Sequence, residues 1–358
     1  MSQKLLDDLT KLAKKDSKGL LGSIQKLHLQ FAQIFNESSY IKFPSKYKKA
    51  KNIVVVGMGG STLGSYLLKP LFSQQMKIPM DVINDYKVSG SVNSRTLVIA
   101  SSYSGTTEET ITVAKEAKKR NAMVICLASG GSLAIWAKKN RIPLITFKAV
   151  NNPCGQPRMG LGYTAGAQLL ILNNLGYIKL SQKMQKHIVS TIAYYDTLFG
   201  VLTPHKDNIA KKTAMLLLEK CAIFVSSEHI SGCIHVASNQ MNETSKRFAA
   251  FFTIPELNHH LLEGMAKPAS NKKALFFIMF NSSLYNKRNQ KRYQITKEVL
   301  NKNGIQSLMY NCLEKDAIGQ ACELLVFNSY LSYYSAMLEN IDPNPVPFVD
   351  YFKARMKK

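Results

Sequence analysis

The chain of 358 residues is long enough to form two domains, each with its own hydrophobic core. Hydrophobic residues make up 46% of it and charged residues 20%, which excludes a largely disordered protein. The longest apolar run covers only residues 274–280, and the chain opens on charged, amphipathic sequence, so we expect neither a membrane span nor a signal peptide.

The formal net charge of +24 comes from 47 lysines and arginines against 23 aspartates and glutamates. Such a charge would suit nucleic acid, a membrane surface, or small anionic substrates attracted over a distance. The basic residues, however, are spread along predicted helix faces such as 115–120 and 286–292 and do not form one arm. We therefore expect ordinary solvated helix faces, with no nucleic acid and no membrane as partner.

Six cysteines are scattered along the chain, and none of them forms a CxxC pair. Most have apolar or helical surroundings, which is typical of reduced core residues. We therefore expect a cytoplasmic protein without a zinc site. The six are Cys126, Cys154, Cys221, Cys233, Cys312 and Cys322.

The first half of the chain alternates strands with helices. Residues 1–45 are predicted to form an N-terminal helical arm, because apolar positions between 4 and 36 recur at helical spacing. The run 53–56 has no polar member, as expected of a strand buried on both faces of a parallel sheet. A helix at 65–72, strand 96–100, helix 108–119, strand 123–127, helix 133–138 and strand 144–147 follow. This alternation predicts an α/β domain whose parallel sheet is flanked by helices.

The second half repeats the scheme more loosely, after connecting helices between 161 and 218. Its predicted elements are strand 221–225, helix 234–248, strand 274–280, helix 293–301, strand 306–309 and two final helices at 321–338 and 346–356. We therefore predict two copies of one α/β domain, at 46–180 and 181–358.

Two turns of the first domain follow strands at the sheet edge where ligands bind in such folds. Gly57-Met-Gly-Gly-Ser-Thr62 leads from a strand into a helix, and its glycines allow the backbone to approach an anion. It matches neither the dinucleotide-binding pattern nor the P-loop, so we expect no nucleotide cofactor. A tight connection without ligand remains an alternative.

The turn that begins at Ser101 is more informative, because five of its first seven residues carry aliphatic hydroxyls. Helix capping accounts for one of them. Several hydroxyls together with helix N–H groups can surround a phosphate monoester without arginine or lysine. We therefore predict a phosphate site formed by Gly60, Ser61, Ser102, Ser104 and Thr107.

These two turns resemble the signatures of the sugar isomerase (SIS) domain, through Gly57-Met-Gly-Gly-Ser61 and Ser102-Tyr-Ser-Gly-Thr-Thr-Glu-Glu109. The tandem arrangement resembles the bifunctional phosphoglucose/phosphomannose isomerases of archaea and bacteria. Four further segments support this narrower resemblance: Gln156-Pro-Arg-Met-Gly-Leu-Gly-Tyr163, Asn242-Glu-Thr-Ser-Lys246, Pro255-Glu-Leu-Asn-His259 and Asp342-Pro-Asn-Pro-Val346 through Lys353. The resemblance implies two SIS-type domains, a phosphorylated hexose as substrate and no metal.

Transfer of a carbonyl between C1 and C2 needs a carboxylate base, a second acid–base group and cationic help near the oxygens. Glu243 is a candidate base, although an ordinary helical ion pair with Lys246 would also explain it. The resemblance supports Glu243 and implies three further roles. It assigns ring opening to His259, enediolate stabilisation to Arg158 and contact with the sugar oxygens to Lys353.

In the family this histidine reaches the active site of the neighbouring subunit, so the resemblance implies a homodimer. His260 competes with His259 on chemistry alone. The family usually continues with Asn-Glu after its histidine, where this chain has His260-Leu261, with Glu263 shifted by two. Asn344 stands where a threonine is common, which makes activity toward mannose less secure than activity toward glucose.

Two other functions compete with the isomerase. A non-catalytic SIS-type sensor of sugar phosphates usually carries a DNA-binding domain, and the first fifty residues contain no clear helix-turn-helix. Another SIS phosphosugar isomerase, such as the isomerase half of a glucosamine-6-phosphate synthase, fits the pair Glu243 and His259 less well.

We predict that the net charge of +24 creates no specific nucleic-acid site, because aromatic residues are not interleaved with the basic clusters as a base-stacking groove requires. Binding to DNA or RNA, measured by fluorescence anisotropy, should be weak and should disappear steeply as salt is raised. Submicromolar, sequence-dependent binding at physiological salt would contradict this prediction.

Overall fold

The computed structural model describes residues 5–39 and 41–356. Residues 1–4 and 40 of the predicted N-terminal arm, and residues 357–358 of the predicted second domain, lie outside the described residues. The described residues of this segment include the helices α1 (Leu9–Lys15), α2 (Leu20–Gln25) and α3 (Leu27–Ser38). Within the described ranges, no helix is both long and apolar enough to cross a membrane.

The first domain is built on a parallel sheet in the order β2-β1-β3-β4-β5. Every residue of its strands β3 and β4 is buried, because helices cover both faces of the sheet. The elements are β1 (Asn52–Val56), α4 (Leu63–Leu71), β2 (Met80–Ile83), β3 (Thr96–Ser101), α5 (Glu108–Lys119), β4 (Met123–Ala128), α6 (Gly131–Lys139) and β5 (Leu144–Thr146).

Connecting helices and a second parallel sheet in the order β7-β6-β8-β9 follow. The connecting helices are α7 (Leu161–Asn174), α8 (Gln182–Phe199) and α9 (Ile209–Leu216). The remaining elements are β6 (Cys221–Ser226), α10 (Ser231–Thr244), β7 (Ala249–Thr253), α11 (Leu257–His260), α12 (Asn271–Ala274), β8 (Leu275–Asn281), α13 (Lys287–Lys302), β9 (Gln306–Asn311), α14 (Ala317–Leu338) and α15 (Pro347–Met356).

The two sheets have the same strand order over four strands, which confirms the predicted α/β fold with a duplicated domain. The two domains resemble each other more than the sequence indicated, because each has an edge strand, β2 or β7, that the sequence did not predict. The predicted helix at 234–248 is wrong at its end: α10 stops at Thr244 and β7 begins at Ala249. The Asn242 side chain fastens this reversal, accepting from the N–H of Ala249 and donating to its carbonyl at 3.1 and 3.0 Å.

The two domains meet where α4 packs against α10. Tyr66 on α4 stacks on His235 of α10 with ring centroids 3.9 Å apart, and burial lowers the pKa of His235. The long helix α14 is buried from Gly319 to Met337, because it passes through the centre of the molecule. These helices hold the two sheets in a fixed arrangement, so that loops of one domain can reach the other.

Candidate functional site

The two predicted turns of the first domain lie side by side at the carboxyl edge of the sheet. They follow β1 and β3, which are parallel neighbours with Val56 opposite Ala100. The Ser61 hydroxyl accepts from the N–H of Tyr103 at 2.8 Å, and the Ser101 hydroxyl donates to the Ser61 carbonyl at 2.7 Å. These bonds join the two turns into one surface.

Hydroxyl groups line the start of α5 within this surface. Ser102 and Thr107 share a hydroxyl–hydroxyl bond of 2.8 Å, and Ser104 shares one of 2.9 Å with Thr106. Ser102 is buried, whereas Ser104 is exposed and Thr107 is half-buried. A ligand can therefore reach the hydroxyls of Ser104, Thr106 and Thr107, and the buried Ser102 hydroxyl bonds to Thr107.

The amino terminus of α5 has no side-chain cap. Thr107 is its N-cap residue, and its hydroxyl bonds to Ser102 instead of to an N–H of the first helical turn. Helices leave their first N–H groups without internal partners, and these groups carry a partial positive charge. The exposed N–H groups at the start of α5 can therefore bind an anion.

The chain brings Arg158 to this surface through a short 3₁₀ turn, Pro157–Met159. This turn packs on Gly60 so closely that a Cβ there would lie 2.6 Å from the carbonyl carbon of Pro157 and 2.7 Å from the Arg158 nitrogen. Only a glycine permits this approach. Gly60 therefore links the predicted phosphate turn to the predicted catalytic arginine.

The Arg158 side chain is fully buried, and all of its N–H groups have acceptors. Nε donates to the Thr244 hydroxyl at 3.0 Å, and Nη1 donates to Gln156 Oε1 at 3.0 Å and to Glu243 Oε2 at 3.3 Å. Nη2 donates to the carbonyls of Pro343 and Asn344 at 2.8 and 3.1 Å. One guanidinium thus joins three segments that are distant in sequence.

Burial lowers the pKa of Arg158, and the nearby Glu243 carboxylate acts in the opposite direction. A guanidinium stays charged in proteins, so the buried cation needs this carboxylate and the surrounding carbonyls. The Glu243 side chain remains 31% exposed. It is therefore held by Arg158 on one side and open to a ligand on the other.

The alternative that Glu243 forms a helical ion pair with Lys246 is wrong. The Lys246 ammonium donates to the carbonyls of Glu243, Thr244 and Asp342 at 3.0, 3.1 and 3.1 Å, and so closes the carboxyl end of α10. Burial, followed by the charge of Arg158, lowers the pKa of Lys246 to about 8. The lysine adds positive potential beside the Glu243 backbone.

His259 does not lie beside Glu243 in the same chain. Glu243 is in the last turn of α10, and β7 then carries the chain back along that helix. Five strand residues span about 16 Å, so His259, which follows β7 on α11, lies toward the other end of α10. Its side chain is exposed, whereas that of His260 bonds to Glu256 at 2.7 Å.

Lys353 also lies away from the Arg158–Glu243 pair, on α15. All residues of this helix are exposed, including five large apolar side chains: Phe348, Val349, Tyr351, Phe352 and Met356. The helix begins just after Asn344, whose carbonyl binds Arg158. The structure therefore brings together seven of the nine predicted site residues, and it leaves His259 and Lys353 on exposed elements.

Several contacts of Arg158 were not predicted, namely Thr244, Gln156 and the carbonyls of residues 343 and 344. The segments that contain them stood out as sequence motifs, but their spacing gave no sign that they share one guanidinium. Asn344 is fully buried and donates to Asp16 at 2.7 Å and to Asp342 at 2.8 Å. Its role in this structure is to fix the loop that binds Arg158.

One further polar cluster lies away from this site. His187, Glu314 and Asp316 have side-chain atoms within 4.8 Å of one another, a spacing that metal ligands can show. The His187 ring bonds to Asp316 at 2.9 Å, and the other Asp316 oxygen accepts from the N–H of Gly319 at the start of α14. The hydrogen bond to His187 and the helix cap account for the Asp316 carboxylate. All six cysteines have free thiols.

A duplicated parallel sheet, with an uncapped helix amino terminus and a hydroxyl-rich turn beside a paired carboxylate, defines a phosphosugar isomerase of the SIS type. Residues 46–159 match the SIS domain, and residues 206–356 match the bacterial phospho-glucose isomerase C-terminal SIS domain. A structure of a hypothetical protein from Thermus thermophilus has the same fold, with a TM-score of 0.76 and 15% identity over 99% of this chain and 94% of that one.

Two relatives extend the match over nearly the whole chain. A bifunctional phosphoglucose/phosphomannose isomerase from Caldicellulosiruptor bescii is 30% identical over 93% of this chain and 98% of its own. One from Thermoplasma volcanium is 26% identical over 91% of this chain and 99% of its own. The chain belongs to the bifunctional phosphoglucose/phosphomannose isomerase family.

We predict that Gly60→Ala separates the phosphate turn from Arg158, because the new Cβ overlaps the backbone of residues 157 and 158. The free energy of unfolding should fall by about 1–3 kcal/mol, and isomerase activity should fall more than stability alone explains. Gly59→Ala is the matched control: Gly59 has a φ of +48° and open space around its Cβ position, so only about 1 kcal/mol of backbone strain is expected. Denaturant unfolding and a coupled assay measure both, and equal effects of the two variants would contradict the prediction.

Proposed function

We propose that the chain interconverts fructose 6-phosphate with glucose 6-phosphate, and also with mannose 6-phosphate, through a cis-enediolate and without a cofactor. The observation that carries this proposal is the contact between Glu243 and the buried Arg158, next to a helix amino terminus that has no side-chain cap. Glu243 can move a proton beside the fixed positive charge of Arg158, and the helix amino terminus can hold a phosphate.

The phosphate would bind at the start of α5, where it accepts from backbone N–H groups and from the hydroxyls of Ser104 and Thr107. Neutral donors suffice here, because the helix terminus supplies partial positive charge. The sugar would then extend over Gly60 toward Glu243, since Gly60 lies directly on the turn that carries Arg158. This path places the phosphorylated end and the reacting end of a hexose at separate parts of one site.

Glu243 would carry the proton between C1 and C2. Its bond to Arg158 orients the carboxylate and holds it beside a fixed positive charge. The N–H groups of Arg158 are already bonded within the protein, so the guanidinium stabilises the negative enediolate through its field and through Glu243. Lys246, also close to this carboxylate, adds to the same field.

Ring opening would use His259 from a second copy of the chain. Within one chain, His259 lies past the far end of β7, whereas its exposed ring can enter a neighbouring site. The exposed apolar residues of α15 indicate a surface that a second copy covers, because such side chains are costly in water. We therefore propose a homodimer in which Lys353 reaches the sugar oxygens once α15 is packed.

A non-catalytic sensor of sugar phosphates fits the structure less well. It needs the phosphate turn, but it has no use for a half-exposed carboxylate held against a buried arginine. Another phosphosugar isomerase of the SIS type would share both features. Detection of glucose 6-phosphate and mannose 6-phosphate formed from fructose 6-phosphate, in one coupled assay, separates these alternatives.

We predict that Ser104→Ala combined with Thr107→Ala raises KM strongly and weakens inhibition by inorganic phosphate. Each hydrogen bond to the charged phosphate is worth about 1.5–3 kcal/mol. Ser283→Ala, in the corresponding turn of the second domain, is the matched control and should leave both constants unchanged. Unaltered phosphate inhibition in the double variant would rule out this phosphate site.

We predict that Glu243→Gln abolishes exchange of the C2 proton with solvent deuterium, because the amide keeps the shape but cannot act as the base. His259→Ala should slow turnover of cyclic sugar far more than exchange on an open-chain substrate, whereas His260→Ala should be mild. Each damaging change should cost about a hundred- to ten-thousand-fold in rate. Wild-type rates for Glu243→Gln and His259→Ala would refute this mechanism, and damage from His260→Ala alone would assign ring opening to the neighbouring histidine.

Mixing the two inactive variants tests whether His259 acts across subunits. A heterodimer of Glu243→Gln with His259→Ala contains one site with an intact glutamate and an intact histidine. Random exchange of subunits in a two-fold symmetric dimer should therefore restore about a quarter of wild-type activity. Failure of the mixture to recover activity, although heterodimers form, would show that both residues act within one chain.

A further inference from the structure

The second domain contains a structural counterpart of the phosphate site. Both sheets share one strand order, so that β6 corresponds to β1 and β8 to β3. The first strand of each pair leads into a short 3₁₀ turn, Gly59–Ser61 in one domain and Glu228–Ile230 in the other. The second strand leads through a polar turn into a helix, α5 or α13, whose N-cap residues are Thr107 and Asn286.

The two helix amino termini differ in what occupies them. The start of α5 has no side-chain cap, whereas at the start of α13 the Asn286 side chain accepts from the N–H of Arg288 at 2.8 Å. Glu228 Oε1 also accepts there, from the N–H of Asn286 at 2.8 Å and from the Asn289 side chain at 2.7 Å. A carboxylate oxygen of the protein thus holds the position at which the first domain leaves room for an anion.

The backbone of Glu228 has a left-handed conformation, which is unusual for a glutamate. Its φ is +46°, and that of Gly59 at the corresponding position is +48°. A left-handed conformation is strained for a residue other than glycine. In the first domain the direction in which a Cβ would project from Gly59 is open, with no heavy atom within 4 Å. In the second domain a glutamate side chain starts from the equivalent point and reaches the helix.

Three other polar groups of the second-domain turns have partners within the protein. The Ser282 hydroxyl donates to Gln320 at 2.7 Å, and the Ser227 hydroxyl donates to the carbonyl of Ile254 at 2.6 Å. The N–H of Ser227 donates to the Tyr285 hydroxyl at 3.1 Å. The position that corresponds to the first-domain anion site is therefore the helix terminus that Glu228 covers.

Space for a sugar nevertheless remains at this place. A cavity of about 860 Å³ lies beside Glu228 and His229, between the end of α4 and the start of α10. Its position corresponds to that of the proposed catalytic site, which lies between the first-domain turns and the end of α10. The second domain thus keeps the space of a sugar-phosphate site while its anion position is filled from within.

We propose that Glu228 is a built-in anion that closes the second domain's counterpart of the phosphate site and limits each chain to one bound sugar phosphate. The carboxylate takes the place of the ligand phosphate, and this inference rests on the assignment of the phosphate to the first-domain turns. It makes the two domains unequal: one binds the substrate phosphate, and the other supplies Glu243.

Calorimetric titration of the full-length protein with inorganic phosphate tests the proposal. Glu228→Gly removes the carboxylate and restores the residue that suits a φ of +46°, so the number of phosphates bound per chain should rise by one over wild type. Glu228→Gln keeps an oxygen that can accept the same bonds and should show no rise. Glu219→Gly is the matched control, since Glu219 also has a positive φ of 61° but lies elsewhere on the surface.

A folded Glu228→Gly protein that binds no more phosphate than wild type, or an equal gain for Glu219→Gly, would overturn the proposal. The number of phosphates that the wild-type chain binds tests the first-domain site, and a number of zero would refute that site. The increase in this number in Glu228→Gly tests the proposal about Glu228. If Glu228→Gly fails to fold, the opposite substitution in the first domain, Gly59→Glu, tests the proposal. Gly59→Glu should place a carboxylate at the start of α5 and remove phosphate binding, and retained binding in that variant would overturn the proposal.

Discussion

The buried Arg158 guanidinium is the interaction on which the arrangement of the site depends. It donates hydrogen bonds to the loop after the first sheet, to the end of α10, and to the segment just before α15. A buried cation that loses one partner typically destabilises a protein by about 3–5 kcal/mol, so these three segments have to stay together. The hydrogen bonds that stabilise the buried charge of Arg158 also hold Glu243 near the predicted phosphate turn. Arg158 is therefore needed for the stability of this region and, in the proposed mechanism, for catalysis as well.

Duplication of one α/β domain supplies the two halves of this site, and divergence makes them different. The first domain keeps a glycine at the start of its 3₁₀ turn and an uncapped helix terminus, which suits an anionic ligand. The second domain has lost both features at Glu228 and Asn286, but the helix after its first strand is longer. The five extra residues of α10 relative to α4 carry Glu243 to Arg158 and the first-domain turns. In the proposed mechanism, the first domain thus binds the phosphate and the second supplies the catalytic base.

The sequence was sufficient for features that depend on local pattern. Continuous apolar runs predicted β1, β3 and β8, and the density of hydroxyls indicated the turn before α5. The sequence did not predict strand β7, because Ala249-Ala-Phe-Phe-Thr253 comes soon after the helical pattern of α10. The chain reverses between the two elements at Lys246, which has a φ of +54°. The bond between Arg158 and Glu243 joins residues 85 positions apart, and no local pattern encodes such a contact. The alternative of a helical ion pair with Lys246 is wrong for the same reason, because the Glu243 carboxylate contacts the distant, buried Arg158 instead.

The separation of His259 from Glu243 follows from the topology of the second domain. In a β-α-β unit, the helix and the following parallel strand run in opposite directions, so residues at their two carboxyl ends lie at opposite ends of the unit. Glu243 lies at the end of α10 and His259 follows β7, so the two residues lie toward opposite ends of this unit. The proposed mechanism, which uses both residues, therefore takes them from two chains. The exposed apolar side chains of α15 fit this proposal, because the neighbouring subunit that completes the site would cover the helix that carries Lys353.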